Sequence, residues 1–240
     1  ADAIRHYIAK HYGPESVVIS IAGNITPQLI ATIERLFGQY QPSAVAIAPV
    51  LTNPSFHSGE ISKIRDTEQA HLAISYPAIG VKDPDMYSFI VLNNIIGGNM
   101  SSRLFQEVRE ERGLAYSIFS YQSCYADVGA FTIYGSTSRQ QLSQLQHTID
   151  ATLLDIVAGG VTEEELDNAK EQLKGSFVLG LEGTGARMNR NGTSELVHRK
   201  HRTVDEVLAS IDAVSMDSVD RLIAKILKAE PAISIIGPSE

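Results

Sequence analysis

The chain has 240 residues, a formal net charge of −8 and 43% apolar residues, the balance of an ordinary globular chain rather than a disordered or fibrous one. Its acidity argues against a general nucleic-acid footprint, and no apolar run approaches the ~20 residues needed to span a bilayer. The one cysteine, Cys124, excludes an internal disulfide framework and any multi-thiolate metal site.

The chain opens on "ADAIRHY", with neither a Met nor a signal-peptide pattern. This predicts a processed chain or a fragment, with a cytoplasmic location. Ile4, Ile8 and Tyr12 share a helix face, and "SVVISIAG" (16–23) reads as a short apolar strand stopping at glycine. "NITPQLIATIERLFG" then opens a helix with Thr26 as N-cap and Pro27 at the first helical position, and closes it at Gly38. Residues 39–59 carry three prolines and no helical pattern, and 44–56 read as a linker.

A new unit follows. "EISKIRD" (60–66) and "AHLAISYPA" (70–78) are strand runs, and "DMYSFIVLNNIIGG" (85–98) is an apolar helix. "SSRLFQEVREE" (101–111) is a further helix. "YSIFSYQSC" (116–124) and "GAFTIYGST" (129–137), a few residues apart, predict a hairpin. The rest is mostly helical. Leu142, Leu145, Ile149 and Leu153 form one apolar stripe; Leu166, Ala169, Leu173 and Phe177 form another, opened by a capping box from Thr162 to Glu165. A second box, Thr203 to Glu206, opens "VDEVLASI"; "SMDSVDRLIAKIL" is a last helix and "PAISIIG" a last strand. This order predicts an α+β fold, a mostly antiparallel sheet with helices packed on one face.

Two segments echo each other: "DAIRHYIAKHYGPESVVISIAG" near the start and "DSVDRLIAKILKAEPAISIIG" at the end. Both are a helix feeding a strand that stops at glycine, as a duplicated domain would produce. On that reading residues 1–43 are the helix-strand-helix remnant of a first domain copy, and 57–240 are a complete second copy. A remnant of about 40 residues cannot bury enough surface to be stable alone.

The chemistry-bearing residues offer little that is self-contained. No two of the seven histidines are four apart, so neither His-Glu-x-x-His nor its inverse is present. Glu195, His198 and His201 share a helix spacing, but Arg199, Lys200 and Arg202 surround them, and a cation cluster disfavours a divalent ion. Gly-x-Ser-x-Gly is absent, and Cys124 in an apolar run reads as a buried, inert thiol. "GGNMSS" lacks a Walker lysine, and "GTGARMNRNG" (183–192) reads as a loop or helix kink. What remains is "GGNMSSRLFQEVREERGLAY" (97–116). In it Arg109 sits in the last turn of a helix and Tyr116 at the start of the next strand. A purely structural account makes Leu104, Phe105 and Val108 core, Arg109 surface and Tyr116 a sheet residue. A functional account makes Arg109 a fork donor to carbonyls or a carboxylate, and Tyr116 an O–H donor to a polarised carbonyl oxygen.

"GGNMSSRLFQEVREERGLAYSIFSY" (97–121) resembles the second-half signature of the pitrilysin/insulinase zinc peptidases, closest to bacterial members similar to mitochondrial processing peptidase. "HYGPESVVISIAGNITPQLIATIERLFG" (11–38) resembles the end of that family's first half. The resemblance covers essentially the whole chain and implies a processing-peptidase-like metallohydrolase half without zinc, preceded by a stub of the zinc-bearing half. It implies zinc in the intact protein and none bound by this chain, which should be inactive alone. Its implied partners are a peptide substrate and the missing zinc-bearing half or an equivalent subunit; neither nucleic acid nor membrane is expected, and a homodimer stays open. Arg109 would anchor substrate backbone, and Tyr116 would hydrogen-bond the scissile carbonyl or oxyanion across the chamber. The alternatives are a non-catalytic partner subunit of a two-chain peptidase, which the short "IIGGNMSSRLF" disfavours, and a plain structural module.

Overall fold

The computed structural model describes residues 1–13, 16–39 and 54–238. Most of the expected linker, 44–53, lies outside the described residues. The chain divides into two compact units: Ala1–Asn53 with Phe177–Val204, and Pro54–Ser176 with Asp205–Glu240.

The first unit holds α1 (Asp2–His11), α2 (Pro27–Phe37) and α6 (Thr184–His198). In α2 the Thr26 hydroxyl accepts the Leu29 N–H, Pro27 stands in the first turn, and Gly38 closes the helix, as their capping chemistry dictates. Two expectations fail here. Residues 17–22 form no strand; a strand exists only through ladder bonds to a neighbour, and none of the five described strands pairs with this segment. Residues 184–192 are not a loop but the start of α6. There Gly192 runs beside Ser20, whose hydroxyl donates to the Met188 carbonyl. The two isolated glycines weaken a helix without breaking it. None of these three helices contains a buried residue.

The second unit carries the core. Its sheet has the order β1-β5-β2-β4-β3, from β1 (Gly59–Ile64), β2 (Ala70–Ile79), β3 (Ser117–Cys124), β4 (Val128–Thr137) and β5 (Ala232–Gly237). All pairings are antiparallel except the parallel β1–β5 pair. The expected hairpin is β3–β4, with Ser117 opposite Ser136 and Cys124 opposite Gly129. Alternation sends Leu72, Ile74 and Tyr76 of β2, and Phe131 and Ile133 of β4, into the core. Helices α3 (Met86–Ile96), α4 (Leu142–Gly159) and α8 (Met216–Ile226) supply its other wall. Both apolar stripes contribute: Leu142, Leu145, Ile149 and Leu153 from α4, and Leu166 and Ala169 from α5 (Glu163–Gly180), are buried. The α+β architecture expected from the pattern is the one observed.

Capping chemistry fixes the helix starts. Glu165 accepts the Thr162 N–H at 2.7 Å while its own N–H donates to the Thr162 hydroxyl, the reciprocal box expected of that spacing. At α8 the same device is built from Ser215 and Ser218. Helix α7 (Val204–Asp212) places Val207 and Ile211 inward.

Candidate functional site

The paired glycines after α3 meet a steric demand. A Cβ on Gly97 would stand 2.8 Å from the Ser120 backbone nitrogen, because the Gly97 carbonyl accepts the Ser120 N–H at 2.9 Å. Chain leaving α3 is thereby stitched to β3. Asn99 then turns it: its side-chain amide donates to the Asn94 carbonyl at 2.8 Å, and its side-chain oxygen accepts the Ser101 N–H.

The following helix is an α-turn that widens into a π-helix over Phe105–Glu111, a rare geometry that occurs mostly as single turns inside α-helices and frequently at functional sites. Residues five apart become neighbours: Arg112 pairs with Glu107 at 3.1 Å. Leu104 and Val108 are fully buried on its inner side. The helix ends with the Leu114 N–H bonded to the Val108 carbonyl, and with Gly113 at φ +59°, the left-handed conformation that glycine adopts without penalty. Leu114 and Ala115 are buried, and the Leu114 carbonyl accepts the Thr137 hydroxyl. The turn between Arg109 and Tyr116 is therefore anchored to β4.

Tyr116 stands just before β3 rather than within it and is 76% exposed. Its seven-residue separation from Arg109 closes in space. The guanidinium carbon of Arg109 lies 4.7 Å from the Tyr116 ring centroid and 4.8 Å from that of Phe105, both within cation–π range. Its ion-pair contact among the described residues is Glu110 Oε1 at 3.8 Å, beyond hydrogen-bond length. The guanidinium is therefore held against two aromatic rings and is not hydrogen-bonded to Glu110, which leaves N–H donors for an acceptor. Phe105, read from the sequence as core, does pack against the core, but its contact with the guanidinium was not read there. The signal was its i, i+4 spacing to Arg109, which places both side chains on one helix face.

The other end of the helical stretch 103–111 is closed. Arg103 grips Glu165 through two bonds of 2.6 and 2.7 Å and donates a third to the Gly160 carbonyl. These hydrogen bonds raise the Arg103 pKa and lower that of Glu165. The pair borders a cleft of about 640 Å³ between the π-helix and α4, lined also by Glu107, Arg112, His147 and Asp155.

Among the described residues no group of three His, Cys, Asp or Glu side chains could hold a metal ion. Glu195 instead bonds His201 Nε2 at 2.9 Å, so this carboxylate is already engaged by the histidine it was paired with in the sequence. Cys124 is half-buried at the end of β3, and burial raises its thiol pKa. No helix among the described residues is long and apolar enough to cross a membrane.

Residues 1–173 match the family model described as the peptidase M16 inactive domain. A Bacillus subtilis (strain 168) protein described as an uncharacterized zinc protease is 44% identical over 99% of this chain and 58% of its own length. A Streptomyces coelicolor protein of the same description is 40% identical over 99% of this chain and 53% of its own. A Helicobacter pylori protease shares the fold with TM-score 0.86 at 18% identity, across 99% of this chain and 58% of that one. The chain thus spans about half the length of the curated relatives it matches. With the family model covering well over half of its residues, the chain belongs to the peptidase M16 inactive-domain family of the pitrilysin-type peptidases.

Proposed function

We propose that this chain is the substrate-binding, non-zinc half of a zinc-dependent endopeptidase acting on peptides or unfolded segments. It would comprise the end of a first, zinc-bearing homologous domain (1–43), a linker (44–56) and a second domain (57–240). The observation that carries the reading is the Arg109–Tyr116 stack: a guanidinium whose donor edge is not hydrogen-bonded to Glu110, against an exposed phenol. Arg109 would take peptide carbonyls or a carboxylate in its fork. The Tyr116 hydroxyl would donate to the scissile carbonyl oxygen as charge develops there. Zinc would supply the activated water from the other half of the protein, as the zinc-protease descriptions of its relatives suggest. This half alone would turn nothing over, and the intact protein would act in the cytoplasm.

In the full-length gene product, Arg109→Ala and Tyr116→Phe should each lower peptide turnover by about 10²-fold or more, the scale of losing one oxyanion donor. Unchanged turnover in both would remove the paired role. Stoichiometric zinc in the isolated chain, measured by atomic emission, would overturn the division of labour. The word "inactive" in the family description is met equally by a non-catalytic partner subunit of a two-chain peptidase. That reading requires a full-length gene product without an inverted zinc motif of its own.

A further inference from the structure

We propose that Phe105 is a positioning residue for Arg109, setting the direction in which the guanidinium fork meets a peptide substrate; this rests on the function proposed above. Three observations carry it. The Arg109 guanidinium carbon is as close to the Phe105 ring (4.8 Å) as to the Tyr116 ring (4.7 Å). Phe105 is itself held, half-buried and packed against the core cluster that includes fully buried Leu104 and Val108. Arg109, by contrast, meets its Glu110 carboxylate only at 3.8 Å, so polar bonds to that side chain do not orient it.

The physical consequence is a division of roles between the two rings. Tyr116 is exposed and precedes its strand, so it restrains a long, flexible arginine less than a ring packed against the core does. An arginine side chain free in water loses rotamer freedom when a ligand fixes it. Phe105, rooted in the core, meets part of that cost before substrate arrives, which is preorganisation of the fork. A cation–π contact of this exposure is worth roughly 0.5–2 kcal/mol. Its loss therefore corresponds to a fall of about two- to thirty-fold in kcat/KM.

The test uses the full-length gene product with fluorescein-labelled casein as the probe, comparing wild type with F105L, F105Y, R109A and the double variant F105L/R109A. Leucine keeps an apolar side chain against the core but has no ring. The expected result is a fall of about tenfold in kcat/KM for F105L, near wild-type values for F105Y, and a double variant no worse than R109A. If F105L stays within twofold of wild type, or its loss adds in full to that of R109A, the inference is overturned. Turnover that is absent, or indifferent to R109A, overturns the proposed function instead. The inference is then decided by nuclear magnetic resonance of this chain, where ring currents shift the Arg109 Nε–H proton and F105L should return it toward the position of exposed arginines. A proton that does not move in F105L overturns the inference, and F105M gives the same reading if F105L fails to fold.

Discussion

The helical stretch 103–111 carries an arginine near each end, six residues apart, and puts them to opposite use. Arg103 donates to Glu165 in the first turn of α5 and to the Gly160 carbonyl at the end of α4. Arg109 is held against two aromatic rings, with no hydrogen bond to Glu110, the carboxylate it meets among the described residues. A fork committed to a carboxylate on two bonds and to a carbonyl on a third is a structural fastener, because that edge is already occupied. A fork held against aromatic rings is oriented and still able to bind. The comparison shows why residue type alone could not rank these arginines, since both occur in the same helical stretch.

The comparison can be broken at its root. Leu104 lies between the two ends and is fully buried, so Leu104→Ala should cost about 2–5 kcal/mol in urea unfolding and disorganise both arginines. A cost under about 1 kcal/mol would mean that the core does not set the helix.

Removing one arginine separates the ends. Arg103→Ala should cost about 2 kcal/mol, because Glu165 would keep its partly buried carboxylate without the charged donor. Here pH sharpens the contrast. Hydrogen bonding holds the Glu165 carboxyl below its ordinary value when folded. Its stabilisation is then complete above the unfolded carboxylate pKa of about 4.3, and is lost as pH falls from there through the folded value. Urea unfolding as a function of pH should show wild type and Arg103→Ala converging below about pH 4; a gap constant with pH would mean the ion pair is not its source.

At the other end, Gly113 at φ +59° has nothing within 4 Å of an added Cβ, so Gly113→Ala meets only conformational strain, roughly 1–2 kcal/mol. A loss beyond about 3 kcal/mol in the same assay would point to a clash and not to backbone strain. Arg109→Ala should change stability least, by under about 1 kcal/mol, while lowering peptide turnover in the full-length protein by about 10²-fold, as the proposed function requires. If instead it destabilises as much as Arg103→Ala, the two ends are equivalent fasteners and the contrast disappears.

Much of this arrangement was legible beforehand. Apolar periodicity located β2, α3, the β3–β4 hairpin and the α4 stripe, because burial on one face imposes a period of 2 or 3.6 on the sequence. Thr26, Pro27 and the Thr162–Glu165 box marked helix starts because capping is local chemistry. The misreadings occurred where a partner decides. Residues 16–23 have the composition of a strand, but composition cannot provide the neighbour that a ladder needs. Residues 183–192 have the glycines of a loop, yet packing of Gly192 beside Ser20 accompanies a helix there.

Sequence by itself determined the α+β class, the element order, and the local signals that frame Arg109 and Tyr116: the glycine pair at 97–98, the helix between, and Gly113. Those are short-range properties, fixed by side-chain chemistry and backbone sterics within a few residues. Only the tertiary structure decided that the helix widens into a π-turn, that Arg103 is consumed by Glu165 sixty-two residues away, and that Phe105 and Tyr116 meet the same guanidinium. Each of those depends on which surfaces the core brings together, and that is a property of packing distant segments at close distance.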